Sequence, residues 1–221
     1  YIKRIERTEA ARFEMEEKLL LSQVNPHFIY NVLNTVIFLA RKGKNHEVVE
    51  VTDSFIHLLR DTVRPGKADM FATVSQEIDI LEHYLKIQEY RYQDAYQVIL
   101  DVDEETLQVP VPRTILQPLV ENAIIHGILS DEKETGIVKV RIKDCQDYIL
   151  IEVEDNGTGM EEKRMQAFQM GIKMDGGDSK MKSIGIPNIL SRLRYLYGNR
   201  ARFIMSKSEM GGVLIHIEIP K

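Results

Sequence analysis

The stretch YILIEVEDNGTGM, residues 148–160, decides how the rest of the chain is read. It reads as a strand that ends in Asp-Asn-Gly-Thr-Gly, paired with GIVKVRIKD (136–144) through a turn at Cys145–Asp147. Asp-Asn-Gly after a strand is in most proteins only a turn. A second reading gives it chemistry. Asp155 accepts a hydrogen bond from an exocyclic amine of the kind adenine carries, and Gly157 and Gly159, having no Cβ, let a flat base reach the backbone.

Two flanking stretches bear on that choice. In LVENAIIHG (119–127) the polar residues Glu121, Asn122 and His126 interrupt an otherwise apolar helix. Either the helix end turns to solvent, or Asn122 offers an amide oxygen to Mg²⁺, an ion that favours hard oxygen ligands together with phosphates and water. In SIGIPNILSRL (183–193) Gly185 stands just before a helix start, where backbone N–H groups can face an anion, or where a loop simply ends. Between these come a short helix at 161–170 and a glycine-rich loop at 171–186. YQVILDVD (96–103) reads as a strand, PRTILQPLVENAIIHGI (112–128) as helix, and PNILSRLRYLYG (187–198) as a helix that opens on Pro187. ARFIMSKSEMGGVLIHIEIP (201–220) closes the chain as a hairpin.

The first ninety-odd residues have another period. Leu21, Val24, Phe28, Val32, Thr35 and Leu39 recur in steps of three and four, so 1–43 reads as one long helix with a coiled-coil entry. Gly43 and Asn45 mark a turn, a second helix follows at about 46–64, and a third at 75–93. Two such helices form a hairpin whose broad apolar face calls for a second copy and a four-helix bundle. The predicted domains are 1–94 and 95–221, the second an α/β sandwich with a mixed sheet. A net charge of -5 gives no global reason for nucleic-acid binding, and none is expected. One cysteine, Cys145, excludes an internal disulfide and suits a reducing compartment. The chain opens with Tyr1 in a charged helical stretch. That reads as the cytoplasmic part of a longer, membrane-anchored protein with a sensor region upstream.

An Asn-bearing helix, a strand ending in D-x-G-x-G, a glycine loop and a further helix, in that order, resemble the ATP site shared by histidine kinases, gyrase, the Hsp90 chaperones and MutL. The resemblance implies an α+β chain whose residues 95–221 form a three-layer α/β sandwich binding ATP with Mg²⁺. It implies Asn122 as the metal residue, Asp155 as the adenine reader, and Gly157, Gly159 and Gly185 as loop glycines, with Glu121 beside them. Such kinases carry a basic residue three positions after the asparagine, whereas this chain has Ile125. His126, Lys180 and Lys182 are the candidates to replace it. Ser183 stands where the second glycine motif usually begins.

LLLSQVNPHFIYNVLNTV (19–36) contains Q-x-N-P-H-F-x-x-N-x-L-N in full, and YLKIQEYRY (84–92) fits the same pattern. Both resemble sensor histidine kinases of the LytS/YesM type. That resemblance implies a homodimer in which His27 receives the γ-phosphoryl group of ATP and passes it to an aspartate on a response-regulator receiver domain. An unshifted imidazole, with a pKa near 6.5, is about three-quarters neutral at pH 7 and already nucleophilic. Asn31 and Asn34 share the face of His27, and one of them orients the ring or a water. Phe28 follows the histidine where other kinases have an acidic residue, so no base is assigned. Pro26 removes a helical hydrogen bond, which either tilts His27 outward or only suits bundle packing. A nucleotide-binding scaffold without kinase activity, and an ATPase or serine kinase of the same superfamily, are the alternative readings.

Overall fold

The computed structural model describes residues 26–62, 70–130, 135–170 and 185–221. The N-terminal part is a hairpin of α1 (Pro26–Arg41) and α2 (Asn45–Thr62), with Gly43 in the left-handed region at the turn, φ 70°. The predicted stripe on α1 is inward: Val32, Thr35 and Leu39 are buried, facing Val51, Ser54 and Leu58 of α2. The described part of α1 opens on Pro26, so a bend at that proline falls outside the described residues. So does the coiled-coil entry.

A third helix, α3 (Val74–Tyr92), is divided between two compact units. The first unit takes residues 1–66 and 82–91, and the second takes 67–81 and 92–221. In the first unit Tyr84 and Ile87 are buried, and the Tyr84 ring stacks on Phe28 with centroids 5.7 Å apart. Glu50 of α2 accepts hydrogen bonds from Lys86 Nζ at 2.9 Å and from the Tyr90 hydroxyl. The latter bond pushes the phenol up to about 12.

In the second unit five strands form one mixed sheet. They are β2 (Tyr96–Val102), β4 (Gly136–Cys145), β5 (Tyr148–Asp155), β6 (Arg202–Lys207) and β7 (Val213–Pro220), in the order β2-β4-β5-β7-β6. β2 runs parallel to β4, and every other pair is antiparallel. Alternation sets the faces. Val138, Val140 and Ile142 on β4, Ile149, Ile151 and Val153 on β5, and Ile215, Ile217 and Ile219 on β7 are all buried. The opposite face carries charge: Arg141 bonds Glu152, Lys143 bonds Asp101 and Asp103, and His216 lies between Glu152 and Glu218. The apolar face packs under α4 (Leu116–Asn122), α5 (Glu162–Met170) and α6 (Gly185–Tyr197), whose Leu119, Val120, Met165, Ile189 and Leu193 are buried.

Two local features differ from the sequence-based expectation. Residues 112–115 are not helical. Phe71–Thr73 (β1) and Pro110–Pro112 (β3) pair as a small antiparallel ribbon, and Thr114 sits at φ 58°. Two prolines and a left-handed residue hold the chain out of the helix until Leu116. The cap of α4 then comes from far along the chain. Glu77 of α3, 1% exposed, accepts the N–H groups of Thr114 (2.6 Å), Ile115 (2.7 Å) and Leu116 (3.2 Å). A carboxylate there meets the orphan donors and the positive end of the helix dipole. Half-buried Arg192, which donates to the Arg113 carbonyl, feels the Glu77 charge. Glu77→Ala strands three donors, two of them buried, and is expected to cost about 3 kcal/mol. Urea unfolding checks this, and a loss below about 1 kcal/mol would remove the cap from the account. The second difference is the start of α6, two residues before Pro187. The proline therefore occupies the first turn, where its missing N–H removes no bond.

Candidate active site

β5 positions the central group. Inward positions run Ile149, Ile151, Val153, Asp155, so the alternation that builds the core ends on a carboxylate, 4% exposed. A charge at a core position is costly unless it is bonded. The Gly157 N–H donates to Asp155 Oδ1 at 2.9 Å. The walls around it are glycine. A Cβ on Gly212 would lie 2.0 Å from Asp155 Oδ1, and one on Gly157 would lie 2.3 Å from the Gly127 carbonyl carbon. Only hydrogen fits at either place. Gly159 turns the chain at φ 72° beneath Gly211.

α4 positions the second group. Asn122 is its last residue, and its amide N–H donates to the Pro118 carbonyl, one turn back. That bond commits the donor end of the amide to its own helix and makes the oxygen the end suited to a cation. Gly185 packs on this turn: a Cβ there would stand 3.0 Å from Pro118 Cβ and 3.2 Å from Asn122 Nδ2. After Asn122 the helix widens into a π turn, Ala123–Ile128, closed by Leu129 N–H to Ile124 O at 2.8 Å. Single π turns occur frequently at functional sites. Here the turn lays Gly127 against the Asp155 carboxylate, and its carbonyl accepts the Thr158 N–H at 3.1 Å.

Between these elements lies a cavity of about 350 Å³, within the range of small-molecule sites. Of the residues singled out in the sequence, Asn122, His126, Asp155 and Gly159 line it. Its walls are largely apolar, including Leu119, Val153, Ile186, Met205 and Ile215. A carboxylate at the end of a slot whose glycine walls a Cβ would fill suits a flat base with an exocyclic amine, so the residues present fit adenine. Asn122, with its oriented amide at the same cavity, fits one oxygen ligand of a Mg²⁺ ion that phosphates and water complete.

The remaining candidates fall elsewhere. Glu121 is half-buried and off the cavity wall, and burial raises its carboxyl above the usual range. Ile125 is not among the lining residues. Lys180, Lys182 and Ser183 lie outside the described residues. His27 is helical in α1, with its side chain outside the described residues, and Asn31 is half-buried on the same helix. Both belong to the first unit, while the cavity belongs to the second.

The structure adds residues that the sequence reading missed. Arg164 lines the cavity from α5, its guanidinium 5.9 Å from the Phe168 ring, which lines it too. Burial, and then the Arg164 charge, lower the pKa of His126 and favour its neutral form. Arg164 and Phe168 are one helical turn apart on a short polar helix, which gives no motif to read. Gly127 and Gly212 were visible only as glycines in IIHG and MGG.

Comparison with known proteins agrees with this geometry. The Histidine kinase family matches residues 15–96, and the family described as Histidine kinase-, DNA gyrase B-, and HSP90-like ATPase matches residues 108–221. The sensor histidine kinase YesM of Bacillus subtilis is 31% identical over 94% of this chain and 33% of its own length. The sensor protein LytS of Enterococcus faecalis is 33% identical over 94% of this chain and 34% of its own. YwpD of B. subtilis, an uncharacterized protein, is 33% identical over 95% of this chain and 72% of its own. The chain thus spans about a third of the length of YesM and LytS. Among the described residues no helix is long and apolar enough to cross a membrane. With a histidine-kinase half, an ATPase half and these relatives across nearly its whole length, the chain belongs to the sensor histidine kinases of the LytS/YesM type.

Proposed function

We propose that this chain is the dimerising, phosphoaccepting and catalytic portion of a sensor kinase, divided functionally into 1–94 and 95–221. It takes the γ-phosphoryl group of Mg-ATP onto His27 and hands it to an aspartate of a response-regulator receiver domain. The observation that carries the reading is the buried Asp155 carboxylate, enclosed by Gly157 and Gly212 at the end of an apolar cavity. It lies on the same chain as the complete Q-x-N-P-H-F-x-x-N-x-L-N pattern at 23–34.

Asp155 holds the base by accepting from its amine, while Leu119, Val153 and Ile215 exclude water from its faces. Gly159 keeps the backbone clear of the ring. Arg164 balances phosphate charge in place of the basic residue absent at Ile125. Asn122 presents its oxygen to the metal, which when bound neutralises charge on the phosphates. The lone pair of a neutral His27 ring nitrogen attacks the γ-phosphorus as the bond to the ADP oxygen breaks. This is a loose transfer in which positioning dominates. Asn31, one turn on, orients that ring.

Dimerisation has its own support. Tyr30, Leu33 and Ile37 of α1 are 67%, 47% and 49% exposed on the side away from the hairpin stripe, and Val49 and Ile56 of α2 are exposed too. Apolar residues on that face fit a second copy.

Incubation with γ-labelled ATP and Mg²⁺ is expected to give protein-bound label that acid removes and alkali does not. Acid-stable label would point to serine phosphorylation, and no label to a nucleotide-binding scaffold. Arg164→Ala is expected to raise the KM for ATP about tenfold, with Arg164→Lys recovering part of the loss. An unchanged KM would take Arg164 out of phosphate binding.

A further inference from the structure

Two histidines that the nucleotide site does not use face each other in the first unit. His57 stands on α2 and His83 on α3, with ring centroids 4.4 Å apart and planes inclined by 20°. Each has a ring nitrogen within 4.8 Å of one on the other. The two residues are 26 apart in sequence and on different helices, so the pair is a product of the tertiary fold and not of local spacing. Their neighbours fix them further. Lys86 and Tyr90, one and two turns beyond His83, both bond Glu50 on α2. His83 is half-buried and His57 exposed, which gives one anchored imidazole and one open to an arriving ion.

A stacked pair of this kind is poorly explained by packing alone. Histidines at positions where two helices touch give up the apolar burial that leucine would supply. Two imidazoles converging from different helices are instead the donor set that zinc, nickel, cobalt and copper prefer. Zinc bonds imidazole nitrogen at about 2.0–2.1 Å, so tetrahedral ligands stand about 3.4 Å apart. The nitrogens lie within 4.8 Å of one another in the stacked pair, so metal binding requires the exposed His57 ring to reorient until both lone pairs meet at one point. Water fills the remaining positions. This donor set is distinct from the hard-oxygen magnesium chemistry assigned to Asn122.

We propose that His57 and His83 form a site for a divalent transition-metal ion, zinc being the representative, which clamps α2 to α3. The ion would hold residues 82–91 of α3 against the hairpin that carries the phosphoacceptor pattern. The site would thus be a point at which metal supply alters the helical part of a signalling protein. The inference does not depend on the kinase reading, because binding is measured without nucleotide.

The test is calorimetric titration of zinc into the whole chain after chelator treatment, in excess Mg²⁺. One equivalent per chain is expected, with affinity at least tenfold weaker in His57→Ala and in His83→Ala, and unchanged in His216→Ala. Zinc is also expected to raise the melting temperature of the wild type and not that of His57→Ala. With zinc removed, the two should melt together, since His57 is exposed. If His83→Ala fails to fold, His57→Ala alone carries the test. Wild-type affinity in His57→Ala overturns the proposal, as does a loss confined to His216→Ala, the histidine set between Glu152 and Glu218.

Discussion

Replacing His27 with glutamine is expected to abolish acid-labile phosphorylation, by at least about a thousandfold, while nucleotide affinity stays within about twofold. Removing an attacking group commonly costs that much or more. Glutamine keeps helical propensity and a polar side chain, so α1 persists. Its amide nitrogen has no available lone pair and cannot bond to phosphorus. The cavity proposed for the nucleotide is lined by residues of the second unit, so binding is expected to be unaffected. The measurement pairs label incorporation with displacement of a fluorescent ATP analogue. Wild-type label on the variant would move the phosphoacceptor elsewhere. Loss of both label and binding would mean that the substitution had disturbed more than one side chain.

Asp155→Asn is the complementary case. It is expected to weaken ATP binding by about 10- to 100-fold, the value of a charge-assisted hydrogen bond, with little loss of stability. The geometry gives the reason. The Gly157 N–H claims an oxygen of this residue. An asparagine would answer it with its only oxygen and turn its NH₂ toward the base. An amine would then meet an amine. A base carrying a carbonyl at that position meets a donor instead, so the variant should lose less affinity for inosine or guanosine triphosphate than for ATP. Competition among the three nucleotides measures this. An equal loss for all three would mean that Asp155 supports the cavity wall without reading the base.

Period and register were legible in the sequence. The alternation on β4 and β5, the three- and four-residue steps on α1 and α2, and the closing hairpin all follow from side chains choosing a face, which neighbouring residues record. Asn122, His126, Asp155 and Gly159 were also legible, because motif order marks them, and they line one cavity. What was hidden is contact between distant segments. Nothing in SQEIDIL announces that Glu77 caps a helix beginning at Leu116. The β1–β3 ribbon is two three-residue strands, too short for any period and containing prolines. The π turn is driven by Gly127 meeting the Asp-Asn-Gly turn, a meeting visible only once β5 and α4 are packed together. Arg164 is one of two basic residues on a polar helix until folding turns it to the cavity.

The close walls around Asp155 bear on how resistance could arise. A common escape from a competitive inhibitor is to add bulk beside the group it grips, narrowing the slot while sparing the natural ligand. Here each neighbouring position already touches backbone or the carboxylate itself through an α-hydrogen. Even a single methyl at Gly157 or Gly212 would collide before it reached a drug. A compound that anchors on this carboxylate with an amine would leave the target few tolerated routes of escape at that end of the pocket. Variants selected against such a compound should therefore map to the apolar rim, at Met205 or Ile186.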